Sequence, residues 1–228
     1  MGVHDGHRDR LRQGFLEHGL MSMNDINALE LLLFYAIPRR DTNEIAHRLL
    51  DRFGSLDGVF SASGEELREV EGIGDNAAAL ITLIPAIMKK SRMSKTRKIR
   101  QIRNSDDAGA YLLPYFMNEP EEVVYMLCLD TKKAVISCTE VGRGIVNSVD
   151  ANIRRIVERA LKAHASAVIL AHNHPDGLAI PSREDDIFTR TLSNALNTVG
   201  IRLEDHLIVA DEDYISMADT GMLSLYRY

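Results

Sequence analysis

Two histidines, a serine and an aspartate carry the most pointed chemistry in this sequence. They stand in the run Ala167-Val-Ile-Leu-Ala-His172-Asn-His174-Pro175 and in Ser182-Arg-Glu-Asp185. The small and β-branched apolar residues before His172 read as a buried strand. Histidines at i and i+2 on a strand share one face. Pro175 then ends the strand, having no N–H for a ladder. Asp185 follows at what reads as the start of a helix. Two imidazoles and a carboxylate make a three-ligand set that suits catalytic zinc and leaves one position for water.

Simpler assignments compete with this one. Ser182-x-x-Asp185 fits a capping box with Ser182 as N-cap. Paired histidines at a strand end also occur with no metal between them. The letters His-Asn-His are not an HNH nuclease signature, because that name describes residues spread over a longer motif. The joint pattern favours a metal: strand, His-x-His-Pro, loop, then Ser and Asp at a fixed offset.

The elements that must position these groups can be read in outline. With 228 residues and 45% hydrophobic content, the chain is long enough for one large or two small domains. No apolar run approaches the ~18 residues of a membrane span. The start, Met-Gly-Val-His-Asp-Gly-His-Arg, lacks the apolar core of a signal peptide. A cytoplasmic location is therefore expected, with no membrane partner. Cys128 and Cys138 both sit in apolar strand-like runs and read as reduced thiols. A net charge of −6 argues against a nucleic-acid binder that uses its whole surface.

Residues 1–88 read as helical. A short helix lies within the first 20 residues; helices follow at 26–36, capped by Asn24 or Asp25, and at 43–53, opened by Thr42 and stopped by Gly54. Another is expected at 56–60, and Ser63-Gly-Glu-Glu66 starts one more with a capping box. The segment Val70-Glu-Gly72-Ile-Gly74-Asp75-Asn76-Ala77 resembles a helix-hairpin-helix motif, in which backbone N–H groups hold a DNA phosphate. Asp75 and Asn76 stand where that motif normally offers a nearby base, which weakens the expectation of DNA binding.

The helix is expected to end at Met88. Lys89, Lys90, Arg92, Lys95, Arg97, Lys98, Arg100 and Arg103 then crowd a stretch without acids or periodicity, read as a basic linker over 89–104. Residues 70–103 are thus the candidate DNA-binding region, with a salt-dependent affinity.

Residues 105–228 read as an α/β layered domain. A helix capped at Ser105 precedes strands at 123–129 and 134–141, joined by the turn Asp130-Thr-Lys-Lys133. Pairing across that turn sets Cys128 opposite Val135 and Cys138 opposite Tyr125. Gly142-Arg-Gly144 should break the second strand. A helix capped by Ser148 or Asp150 spans 151–163; after the histidine strand come a helix at 183–196 and strands at 201–210 and 214–217.

The spacing His172-Asn-His174, seven residues beginning with Pro175, Ser182, two residues, Asp185 resembles the JAMM (MPN-type) metalloprotease signature. The fuller pattern, with Pro181-Ser-Arg-Glu-Asp185, Leu203-Glu-Asp-His-Leu-Ile-Val209 and the Gly72-Ile-Gly74 hairpin, resembles the bacterial RadC family over nearly the whole chain. The loop Asp176-Gly-Leu-Ala179 departs from that family's usual Ser-Gly-Asp-Pro without touching a ligand position.

The resemblance implies a JAMM/MPN-like mixed sheet with flanking helices behind a small helical domain. It also implies one Zn²⁺ held by His172, His174 and Asp185, with a water whose pKa falls towards ~7. The general base belongs just before an apolar strand, where Glu122 fits best and Glu121 and Glu140 are alternatives. Ser182 would donate to an oxyanion. Glu184 and Asp186 read as solvated first-turn carboxylates, and Asp205-His206 as a pair able to orient a ligand. A zinc-dependent peptidase or isopeptidase acting on a peptide or protein is the leading expectation. A DNA-associated protein and a non-catalytic MPN interaction module are its rivals.

Overall fold

A computed structural model describes residues 3–96, 98–144, 149–175 and 177–226. The chain divides into two units, residues 1–88 and 89–228. Among the described residues no helix is long and apolar enough to cross a membrane.

In the first unit, α1 (Val3–His18), α2 (Asp25–Ala36), α3 (Asn43–Phe53), α4 (Leu56–Ser61), α5 (Gly64–Arg68) and the first turns of α6 (Asp75–Thr96) follow one another. Leu29, Leu33, Leu49, Val59, Leu67 and Ile81 form its core. Local chemistry sets the boundaries. Asn24, rather than Asp25, caps α2 by accepting from Asn27 N. Gly54 closes α3 at φ +80°, a conformation an L side chain resists. Ser63 and Glu66 complete the capping box of α5. Thr42 makes no side-chain cap bond to α3; Asp41 takes the Asn43 N–H instead, at 3.0 Å.

The first half of the basic stretch is helix. Helix α6 passes Met88 and runs to Thr96 with Pro85 inside it. Lys, Arg, Met and Ser need no apolar stripe to stay helical when exposed, so the missing periodicity marked exposure and not disorder. Beyond it, Val135 N donates to Arg100 O and Ile102 N to Lys133 O, both at 2.9 Å, and Ile102 is buried in the second unit's core. Arg97 lies outside the described residues.

The second unit is a three-layer sandwich. After α7 (Ser105–Phe116) come β1 (Val123–Leu129), β2 (Val135–Arg143), α8 (Val149–Lys162), β3 (Ala167–Asn173), α9 (Arg183–Thr198), β4 (Arg202–Ala210) and β5 (Asp213–Ser216). The sheet order is β2-β1-β3-β4-β5, with β3 and β4 parallel and the other neighbours antiparallel. Strand β3 is buried along its length. Its Val168 and Leu170 pack on Ile156 of α8 and Leu192 of α9. Its Ala167, Ile169 and Ala171 face Leu112 and Phe116 of α7. Period-two alternation puts His172 on the α8/α9 face, at the open end of that core.

Three expectations need correction here. Strand β2 continues through Gly142 to Arg143, because Val141 bulges out between Gly142 and Glu140 and absorbs the break. The turn sets Leu129 against Val135 rather than Ala134, and a second irregularity leaves Ile136 over; together they move the register by two residues, so Cys128 faces Ser137 and Cys138 faces Leu127. Cys128 packs towards α8 and α9, Cys138 towards α7, and no disulfide joins them. The caps also differ: Asn104, not Ser105, caps α7 by accepting from Asp107 N at 2.9 Å. Ser148 lies outside the described residues, and α8 begins at Val149.

One side chain ties the end of β3 to the start of β1. Asn173 Oδ1 accepts from Val123 N at 2.7 Å, and its Nδ2 donates to Glu121 O at 3.1 Å. Glu122 lies between these two anchors, and its own carbonyl accepts from Gly144 N at 2.8 Å. Asn173→Ala leaves a buried N–H without a partner, a loss of about 1–3 kcal/mol. For a unit of this size that lowers Tm by roughly 2–10 °C. Thermal unfolding followed by circular dichroism checks this, and an unchanged Tm would remove the tie from the account.

Candidate metal centre

The candidate ligand atoms converge where strand, loop and helix meet. His172 sits on β3, His174 just beyond it, and Asp185 in the first turn of α9. His172 Nε2 lies 3.0 Å from His174 Nε2 and 3.0 Å from Asp185 Oδ1; His174 Nε2 lies 3.5 Å from Asp185 Oδ2. Two ligands about 2.0–2.1 Å from a tetrahedral ion stand roughly 3.3 Å apart. The three spacings therefore fit one small divalent ion. No other group of three His, Cys, Asp or Glu side chains among the described residues could hold a metal in this way.

The hydrogen bonds around the rings decide which nitrogens carry lone pairs. His174 Nδ1 meets the carbonyl of Leu178 at 3.1 Å. A carbonyl only accepts, so Nδ1 holds the proton and Nε2 presents a lone pair. His172 is set by a longer chain. Thr189 Oγ1 donates its single proton to Asp185 O at 2.5 Å. It then accepts from His206 Nδ1–H at 2.6 Å. That leaves His206 Nε2 as acceptor for His172 Nδ1–H, at 2.9 Å. His172 Nε2 is thereby left facing His174 and Asp185 with its lone pair. Burial, and after it the neighbouring His172, push the His206 pKa well below the usual imidazole range, so this link is neutral.

One positive charge fits the gap between these atoms: a proton on His172 Nε2, or a cation in its place. Asp185 is built for that charge. Burial works to raise its pKa, but the hydrogen bond to His172 and the bonds to Ser182 outweigh it and hold the carboxylate far below its ordinary range. Asp185 also completes the capping box. Its Oδ2 accepts from Ser182 N at 2.7 Å and Ser182 Oγ at 2.6 Å, while Asp185 N donates to Ser182 Oγ at 3.1 Å. Capping and ligation are therefore compatible, and the cap, worth about 1 kcal/mol, aims the ligand. The same geometry commits the Ser182 proton to Asp185, so an oxyanion competes for it.

Glu122 lines an open cleft of about 220 Å³ with His172, Asp185 and His206. The alternatives stand elsewhere. Glu140 accepts from Arg143 Nε at 3.1 Å and Nη2 at 2.9 Å, and this pairing lowers its pKa. Glu121 lies 3.9 Å from Arg143 and contributes its carbonyl to Asn173. Glu184 also lines the cleft. The Asp205-His206 pair is split by strand alternation. His206 holds the His172 ring, whereas Asp205 accepts from Ser216 Oγ at 2.6 Å and from backbone N–H groups. Thr189 and Asn173 were not singled out from the sequence; nothing local distinguishes a helical threonine that reaches a strand 17 residues away.

The proposed DNA region looks less available than its composition suggests. Lys89 pairs with Glu119, Arg92 with Glu212 at 2.8 Å and Arg103 with Asp107 at 2.9 Å. The chain turns at Gly72, φ +101°, and α6 opens on the exposed Asp75.

The proton chain from Thr189 makes a prediction. In Thr189→Val, His206 is free to change tautomer and His172 can turn a proton towards the ligands. Zinc affinity should fall about 10–100-fold with the fold retained, as read by chelator competition and circular dichroism. Unchanged affinity in a folded variant would show that the chain of bonds does not orient His172.

Comparison with known proteins bears on this geometry. The sequence profile of the RadC-like JAB domain matches residues 102–222. A UPF0758 protein of Fusobacterium nucleatum is 33% identical over 225 residues, covering 96% of this chain and 97% of the relative. One of Methylibium petroleiphilum is 35% identical over 214 residues, 94% of this chain and 96% of the relative. One of Ruegeria pomeroyi is 36% identical over 222 residues, 95% and 97% respectively. With the profile spanning the sheet unit and relatives aligned over nearly its whole length, the chain belongs to the RadC family, whose JAB domain is metallohydrolase-like.

Proposed function

We propose that this protein is a zinc-dependent amide hydrolase of the peptidase or isopeptidase type. One observation carries the reading: two imidazole lone pairs and a carboxylate converge within 3.5 Å, and His172 and Asp185 share a cleft with Glu122. His172, His174 and Asp185 would hold the ion. When bound there, zinc supplies a water acidified towards ~7 and polarises a carbonyl.

The chain's own residues do the rest. Asn173 keeps Glu122 at the cleft by fixing the backbone on both sides of it. The Glu122 carboxylate takes a proton from the attacking water as its oxygen adds to the amide carbon. It returns that proton to the nitrogen as the C–N bond breaks, which yields an acid and an amine. Ser182 serves first as a positioning residue for Asp185 and donates to the developing oxyanion only by giving up that bond.

Purified protein should contain about one zinc per chain, and His172→Ala and His174→Ala should lose it. Glu122→Gln should keep the zinc and lose hydrolysis of a denatured-protein or peptide pool by about 10²-fold or more. Metal content by mass spectrometry and peptide release together test this. No zinc in the wild type, or equal zinc in the histidine variants, contradicts it. Zinc without hydrolysis in the wild type moves the reading to a non-catalytic interaction module.

The nucleic-acid alternative is the weaker proposal, because cations of the basic stretch are already paired to acids. It requires retention on DNA at about 50 mM salt, where phosphate contacts are strongest, and loss of retention when residues 1–103 are removed. Absence of retention by the full chain ends it.

A further inference from the structure

The cleft beside the ligand atoms has an apolar floor. Val124 of β1, Leu170 of β3 and Phe188 of α9 line it together with His172 and Asp185. Each adjoins a ligand by the rules of its own element. Val124 pairs directly with His172 across β1 and β3. Leu170 precedes His172 by two residues and shares its face. Phe188 follows Asp185 by three residues, one helical turn on. Leu170 is fully buried in the core between sheet and helices, and Val124 and Phe188 are half-buried against that core. The core therefore surfaces beside the metal centre, where the reaction needs only polar groups and water.

The loop between His174 and Ser182 also exposes apolar groups: Leu178, whose carbonyl holds His174, is 72% exposed, and Ile180 is 56% exposed. Among the described residues lining the cleft, the charged side chains apart from Asp185 are Glu122 and Glu184, both negative, and no lysine or arginine takes part. An apolar group gains by covering Val124 and Phe188. A carboxylate placed there gives up its water against apolar carbon and is repelled by Glu122 and Glu184.

Resting on the hydrolase reading above, we propose that the substrate carries an aliphatic or aromatic side chain on a residue adjoining the scissile amide. The floor of Val124, Leu170 and Phe188 accepts that side chain, and acidic residues are excluded from the same position. This makes Val124 and Phe188 specificity-determining residues of the site.

Binding of hydroxamates to the zinc-loaded full chain tests this without relying on turnover. Two probe pairs sample both sides of the reacting carbonyl. One is N-acetyl-leucine hydroxamate against N-acetyl-glycine hydroxamate. The other is a succinamide hydroxamate with an isobutyl group against the same compound without it. In titration calorimetry, at least one isobutyl probe should bind about tenfold more tightly than its bare parent. N-acetyl-aspartate hydroxamate should bind more weakly than the glycine compound. Phe188→Ala and Val124→Thr should each bring the isobutyl-to-bare ratio towards one and leave affinity for the bare probe in place. Val124→Thr keeps the side-chain shape, so it decides the matter if Phe188→Ala does not fold.

Bare probes that bind while both isobutyl ratios stay near one would overturn the side-chain floor and leave the zinc reading standing. Ratios that persist in a folded Val124→Thr would overturn the assignment to this floor. Failure of every hydroxamate to bind would overturn the proposal together with the zinc reading beneath it.

Discussion

Lone-pair atoms brought to 3.0–3.5 Å of one another repel unless a positive charge lies between them. The second unit is arranged to hold three such atoms in that state. Strand β3, buried on both faces, leaves no room for His172 to swing away. Parallel pairing with β4 brings His206 against its Nδ1 edge, and α9 supplies Thr189 to complete the run of bonds. The capping box then fixes Asp185 opposite. Each device belongs to a different element, so the geometry exists only when sheet and helix are both in place.

Asp185 shows how one side chain serves fold and chemistry together. As the third residue of α9 it satisfies the backbone N–H of Ser182 and is satisfied through its own N–H. The two demands reinforce each other, because the helix start is also the aiming device. Asn173 plays the corresponding part on the other side of the cleft, where a middle residue between two ligand histidines holds the segment that carries Glu122. The short spacing His-Asn-His thus encodes two candidate ligands and a brace.

Much of this was legible from neighbouring residues alone. The apolar run 167–171 marked β3, and the Ser182/Asp185 offset marked the cap of α9, because both signals span only a few residues. Groups brought in by long-range pairing were not legible in the same way. His206 was noticed beside Asp205, yet which of the two faces the site depends on the β3–β4 register. Thr189 joins the site only because α9 crosses back over the sheet. The β2 bulge at Val141 carries the strand past the glycines that mark its end, while the turn and the irregularity at Ile136 displace the Cys128 and Cys138 pairing by two residues. The basic stretch misled for another reason: exposed helix has no apolar period to read, so the end of α6 looked like a linker.

The central claim is that a single metal ion takes the place between His172, His174 and Asp185. Anomalous diffraction recorded on both sides of the zinc absorption edge tests it most directly. The account predicts one strong peak per chain within bonding distance of both Nε2 atoms and the Asp185 carboxylate, with Glu122 the nearest carboxylate outside the ligand set. A zinc-supplemented crystal with no peak there, or with its peak at other residues, would contradict it.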